Sequence, residues 1–318
     1  MNFSPEGFPE IPKSTSEPAD TPVERRASSP VRVGTADPGC PAERSSADAG
    51  GHGDDGFALP ASDAQPTELV PAAPPDPAWN GWDVLRLIFL TIVALFVGVF
   101  TVLLIARWQF YPHTALGEIA RVPLVVVAGQ SLAYLLILAY MYVLVTRERG
   151  RLDFLTAIHW NWPSNIAIYV VVGFALSIAL QALAHFLPIP RELPIDSFFQ
   201  TPAEAWALSI LSVTLAPLME ELFFRGFLYP VLARRLGLPV AVFVTALAFA
   251  LLHGAQLMFT WGPVLVIFLV GVVLTVVRAR QNSVAACVVI HMAYNGTITV
   301  AMYAATDGFR HLEKLSSQ

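Results

Sequence analysis

Ala216-Pro217-Leu218-Met219-Glu220-Glu221-Leu222-Phe223-Phe224-Arg225-Gly226 sets two carboxylates and a guanidinium within six residues of a run that is apolar on both sides. Outward from it, seven apolar stretches can be drawn, at 87–106, 122–145, 166–187, 205–229, 239–258, 263–277 and 284–305. Most of them reach the roughly 20 residues that a helix needs to cross the hydrocarbon of a bilayer. Within these stretches every Asp, Glu, Lys or Arg falls at Glu220, Glu221 or Arg225. Ionisable groups are costly at that depth, so their presence is a functional-site hypothesis by default. The expectation is an all-α, polytopic transmembrane helical bundle of about seven spans. The sixth stretch is the weakest, with 15 residues at 263–277 unless its helix begins near Phe259.

Composition agrees. The 318 residues are 55% hydrophobic and 14% charged, against about 25% charged in a soluble globule. The net charge of −5 conceals an uneven distribution, because residues 1–80 hold 13 acidic against 5 basic side chains. Neither part suggests a nucleic-acid partner. Cys40 and Cys287 are the two cysteines, which excludes a disulfide framework and a Cys-rich zinc signature. Residues 1–80 also hold 14 of the 25 prolines and no sustained apolar period, a composition unable to offset ordering entropy by burial. They read as a disordered extension ahead of a transmembrane domain at 84–305. With no basic start followed by a short apolar core, the first hydrophobic segment reads as a retained span rather than a cleaved signal.

Trp79, Trp82, Trp108, Trp160, Trp162, Trp206 and Trp261 fall at or just beyond the ends of the drawn spans, where amphipathic rings favour the headgroup region. Arg147, Arg149 and Arg151 follow the second span, Arg234 and Arg235 the fourth, and Arg278 and Arg280 the sixth. Cytoplasmic loops concentrate such residues. The expected protein is therefore integral to the membrane, the plasma membrane if bacterial, with its N-terminus cytoplasmic and its C-terminus outside.

Helical spacing sorts the polar groups. Glu221 with Arg225, Phe249 with His253 and His291 with Asn295 are i, i+4 pairs on shared faces, whereas Glu220 points about 100° away from Glu221. Glu221 thus has its own counter-ion, and Glu220 is left for other helices. At about 1.5 Å per residue, Glu220 lies roughly 14 Å, His291 roughly 11 Å and His253 roughly 21 Å from the expected cytoplasmic ends. A glutamate unpaired in an apolar pocket, with an imidazole to share its proton, is a usable base. Glu220 with His253 fits that pattern. His291 and Asn295 offer N–H donors on one face, as stabilisation of an oxyanion requires. Pro217 is expected to kink its helix and open room for water. Singly, Glu221–Arg225 could be a structural ion pair, and each histidine or Asn295 an interhelical hydrogen-bonding group; Phe249 reads as packing. His52, His113, His159, His185 and His311 are given no role.

The constellation resembles the CPBP intramembrane proteases, which include the type II CAAX prenyl endopeptidases, or Abi group, and bacteriocin-processing proteins. The resemblance covers about residues 200–303. The family's E-E-x-x-x-R stands here as Glu220, Glu221 and Arg225, its F-x-x-x-H as Phe249 and His253, and its H-x-x-x-N as His291 and Asn295. It implies a membrane endopeptidase in which Glu220 and His253 activate water, His291 and Asn295 hold the scissile carbonyl, and Glu221 and Arg225 support the site. The implied partners are membrane lipid and a membrane-associated protein or peptide, prenylated at a C-terminal Cys-a-a-X in eukaryotic members. No cofactor is preferred; the alternative is zinc on Glu220, His253 and His291, a donor set with an open position. Two rivals are a non-catalytic immunity or assembly protein and a proton-coupled transporter; no internal repeat supports the latter.

Overall fold

The computed structural model describes residues 77–151, 153–190 and 198–314. Cys40, His52, Arg191 and the tail before residue 77 lie outside the described residues. Among the described residues, the chain is helical without strands. Six helical stretches are long and apolar enough to cross a membrane: Gly81–Gln109, Pro123–Glu148, Ile166–Ala184, Pro202–Leu236, Trp261–Gln281 and Val284–Ala305. A shorter apolar helix, Leu238–Leu252, makes the seventh element. The chain is an all-α polytopic membrane protein.

Helix α1 (Gly81–Gln109) starts at an Asn80 cap whose side chain accepts from the Trp82 and Asp83 amides, while Asp83 answers the Asn80 amide. A short α2 (Leu116–Ile119) leads to α3 (Pro123–Val143), which opens on a proline where a missing N–H costs nothing. It continues as a π-helical turn, Leu144–Glu148. A one-turn α4 (Phe154–Ala157) precedes α5 (Ile166–Ala184). The fourth span divides into α6 (Pro202–Val213), α7 (Leu215–Glu221), a π-helical turn (Leu222–Leu228) and α8 (Tyr229–Leu236). Helices α9 (Leu238–Leu252), α10 (Trp261–Gln281) and α11 (Val284–Ala305) complete the bundle.

The closest helix pairs are α1 with α3, α5 with α11 and α9 with α10, while α6 and α7 touch both α3 and α11. With no water to expel between them, membrane helices associate through close backbone approach at small residues. A Cβ on Gly98 would stand 2.6 Å from the Gly129 carbonyl of α3, and one on Gly173 would stand 2.4 Å from the Ile290 carbonyl of α11. These two glycines let the pairs meet.

Two boundary expectations change. The sixth span is a full 21-residue helix, Trp261–Gln281, and the short one is the fifth. Drawn to residue 258, it stops at Leu252 because a 3-10 turn, Gly254–Leu257, follows, and Met258 and Phe259 at φ 53° and 51° redirect the chain. The tryptophans divide as well. Trp82, Trp108, Trp162, Trp206 and Trp261 are exposed at helix ends. Trp79, by contrast, is buried, tilted against Phe227 at 4.6 Å and donating Nε1–H to the Phe227 carbonyl at 3.0 Å.

One end of the bundle gathers the arginine-bearing loops. Arg149 pairs with Asp83, Arg86 meets Glu148 at 3.0 Å, and the Asn161 amide donates to the Asn282 carbonyl at 2.7 Å. The start of α1, the end of α3, the segment after α4 and the end of α10 therefore meet there.

Candidate active site

The string of charges sits where the fourth span departs from regular helix. The chain breaks at Thr214 (φ −117°, ψ −85°), three residues before Pro217, whose ring has no N–H to return to the Val213 carbonyl. The π-helical turn that follows carries Arg225 and Gly226. In a π turn the carbonyl of residue i pairs with the amide of i+5; for Arg225 that residue is Pro230, which has no amide proton. Arg278 of α10 substitutes, its Nε–H donating to the Arg225 carbonyl at 3.1 Å. Trp79 ties down the Phe227 carbonyl of the same turn.

Glu221 and Arg225 are fully buried, with Arg225 Nη1 donating to Glu221 Oε1 at 2.9 Å and Nη2 to the Gly271 carbonyl at 2.9 Å. The guanidinium lies 4.8 Å from the centre of the Phe249 ring, and that ring also packs on His253 and His291. His291 Nδ1 lies 2.8 Å from the same Glu221 Oε1. A carboxylate paired with arginine has no proton, so the ring nitrogen donates. The other nitrogen, Nε2, then faces Glu220 Oε2 at 3.8 Å.

His253 caps the end of α9, and its Nδ1 lies 2.9 Å from the Phe249 carbonyl. A carbonyl only accepts, which fixes the proton on Nδ1 and turns Nε2 towards Glu220 Oε1, also at 3.8 Å. Glu220 is thus flanked by two Nε2 atoms, each too far for a direct hydrogen bond and at a separation that a bridging water spans. Glu220 makes no hydrogen bond among the described residues. The two adjacent glutamates occupy different surroundings, one closed by a cation and an imidazole, the other open to both histidines.

Asn295 stands apart from this group. Its Nδ2–H donates to the Ser212 carbonyl at 2.8 Å, joining α11 to the last turn of α6 just before the Thr214 break. Gln256 is exposed beside His253.

A cavity of about 480 Å³ opens onto Glu220, His253 and Gln256. Its far wall comes from α1 and α3, through Ile88, Thr91, Ile92, Leu95, Gln130, Tyr134 and Ile137. His291 and Asn295 are not among the lining residues. Gln130 and Tyr134 are functional-site candidates that the motif spacing in the later spans does not reveal. They are i, i+4 on α3, and Gln130 Nε2 donates to the Tyr134 hydroxyl at 2.7 Å. The signal in the sequence is a polar pair at helical spacing inside an apolar span.

Glu220, His253 and His291 supply one carboxylate and two imidazoles, donors that suit zinc chemically. Among the described residues, however, no group of three or more His, Cys, Asp or Glu side chains is arranged to hold a metal ion.

Comparison with known proteins agrees with the constellation. Residues 202–297 match the family model for Rce1-like proteins, described as type II CAAX prenyl endopeptidase Rce1-like. No curated protein and no solved structure gives a significant match. The matched segment begins at α6 and ends inside α11, so it holds Glu220, Glu221, Arg225, His253, His291 and Asn295 and omits α1 and α3. Residues 202–297 of this integral membrane protein are therefore similar to the Rce1-like family of type II CAAX prenyl endopeptidases.

Proposed function

We propose that the chain is an intramembrane endopeptidase that hydrolyses a peptide bond of a membrane-associated substrate with water activated by Glu220 and His253. The observation that carries this reading is the placement of an otherwise unbonded carboxylate 3.8 Å from two imidazole Nε2 atoms, beside a cavity within the membrane-spanning bundle. A water bridging Glu220 Oε1 and His253 Nε2 gives its proton to Glu220 as its oxygen adds to the scissile carbonyl. The proton then passes, by way of His253, to the departing amide nitrogen, and the carbon–nitrogen bond breaks. Glu221, locked by Arg225, holds His291 so that its Nε2 faces Glu220; when that imidazole is charged, its N–H is available to the developing negative charge. A part for Asn295 in holding the carbonyl uses its second amide proton, since the first is given to Ser212.

The apolar wall suits a hydrophobic substrate segment. A prenylated C-terminal Cys-a-a-X is the form named by the family description and is the first candidate substrate. Arg147, Arg149, Arg151, Arg234, Arg235, Arg278 and Arg280 support a cytoplasmic location for the end that bears them; in this proposal the N-terminus is inside and the C-terminus outside. The mechanism is glutamate-dependent and metal-free in this proposal. Its test is a comparison of peptide termini in membranes from cells carrying wild type or Glu220→Gln. Termini present with wild type and lost with the variant support proteolysis; identical termini at equal protein abundance overturn it.

A further inference from the structure

The proposed reaction builds negative charge on the carbonyl oxygen, and oxyanion stabilisation needs donors with protons to spare. Several of the donors near the cavity are already committed. The His253 Nδ1 proton goes to the Phe249 carbonyl, and the His291 Nδ1 proton goes to Glu221. Asn295 spends one amide proton on Ser212 and does not line the cavity. Thr91 lines it but gives its hydroxyl proton back to the Leu87 carbonyl at 2.7 Å.

Tyr134 is differently placed. It lines the cavity across from Glu220, half-buried, and its oxygen already accepts from Gln130 Nε2 at 2.7 Å. That bond occupies a lone pair on the phenol and leaves the hydroxyl proton unspent, since the hydroxyl donates no hydrogen bond among the described residues. A phenol held on a transmembrane helix, with its oxygen fixed by a neighbour one turn away, is a preorganised donor of the kind that costs little reorganisation as charge develops.

We propose that Tyr134 donates its hydroxyl proton as a hydrogen bond to the oxyanion of the tetrahedral intermediate, and that Gln130 aligns it for this. The phenol keeps its proton throughout; only the hydrogen bond shortens and strengthens as charge moves onto the substrate oxygen. The inference rests on the protease reading above and adds to it a catalytic residue on α3, outside the segment that matches the family.

The test follows the appearance of Glu220-dependent peptide termini over time, per molecule of protein, in membranes carrying wild type, Glu220→Gln, Tyr134→Phe or Gln130→Leu. Tyr134→Phe is expected to slow their appearance by roughly 10²-fold, the effect of removing one oxyanion donor, and Gln130→Leu by less. Should Tyr134→Phe lower abundance by stranding the Gln130 amide, the double variant Gln130→Leu/Tyr134→Phe removes both partners together and avoids an unpaired buried group. Its rate per molecule is expected to be slowed as much as that of Tyr134→Phe. Wild-type rates in Tyr134→Phe or the double variant, with no termini in Glu220→Gln, overturn the role of Tyr134 and leave the protease reading in place. Termini unchanged in Glu220→Gln overturn both.

Discussion

Glu221 reaches from α7 to α11 and takes the Nδ1 proton of His291 at 2.8 Å, while its chain neighbour Glu220 faces the opposite nitrogen of that same ring at 3.8 Å. One imidazole is therefore oriented by the first carboxylate and presented to the second. This arrangement parallels the way outer partners fix the tautomer and aim of a functional histidine, and it separates the effects expected from substitutions at the two acids.

Glu220→Gln keeps size and polarity but removes the base. Hydrolysis is expected to fall by about 10²–10⁴-fold with unchanged abundance and melting temperature, because Glu220 makes no hydrogen bond among the described residues. Quantified termini and a thermal melt in detergent provide the check; a large drop in melting temperature would show that Glu220 supports the fold instead.

Arg225→Ala acts mainly on stability. It leaves the buried Glu221 carboxylate without its cation, a change expected to cost about 3–5 kcal/mol. The double variant Glu221→Leu/Arg225→Met removes both charges and is expected to recover much of that loss, yet to stay inactive because His291 has lost its orienting partner. Melting and activity measured on the same preparations separate these outcomes, and an active double variant would contradict the orienting role.

Gly173→Ala tests the packing behind the site. The added Cβ would stand 2.4 Å from the Ile290 carbonyl and 2.7 Å from the Ala293 Cβ, so α5 must push α11 away just where it carries His291. A displacement on the order of 1 Å at a catalytic group lowers the rate about 10²-fold. The readout is the ratio of activity to folded protein, which is expected to fall well below one.

His159 lies between α4 and α5, where burial first and the Arg278 guanidinium second hold its imidazole below the ordinary value of 6.5. A histidine that is harder to charge in the folded state binds protons preferentially when unfolded. Its contribution is therefore neutral above 6.5 and destabilising as the pH falls through and below that value. Melting temperature is expected to drop between about pH 7.5 and 5.5, and His159→Asn, which tolerates the local φ of 59°, is expected to flatten the drop. Equal pH slopes for the two proteins would refute this.

Chelation separates the two mechanisms open to the Glu-plus-two-His donor set. Activity in purified protein is expected to survive prolonged treatment with a zinc chelator, and elemental analysis to show substoichiometric metal. Stoichiometric zinc lost in step with activity would replace the glutamate-dependent mechanism.

Much of this was legible in the residues alone. Helical spacing by itself pairs Glu221 with Arg225, because residues four apart share a face whatever surrounds them, and the structure shows that pair closed at 2.9 Å. Pro217 announces the break near Thr214 for an equally local reason, a missing N–H. Apolar run lengths announce a polytopic helical bundle because backbone polar groups within a bilayer must be satisfied inside each helix.

What the chain order does not contain is which helix faces which. That depends on crossings between segments far apart in sequence, set by close contacts such as Gly173 against the Ile290 carbonyl. Only those crossings give Asn295 to Ser212, bury Trp79 beneath the π turn, and bring Gln130 and Tyr134 of α3 to the cavity that holds Glu220. Local periodicity determined the residues able to do chemistry; the packing of distant helices decided which of them share a cavity, because side-chain direction is fixed by one helix and proximity by two.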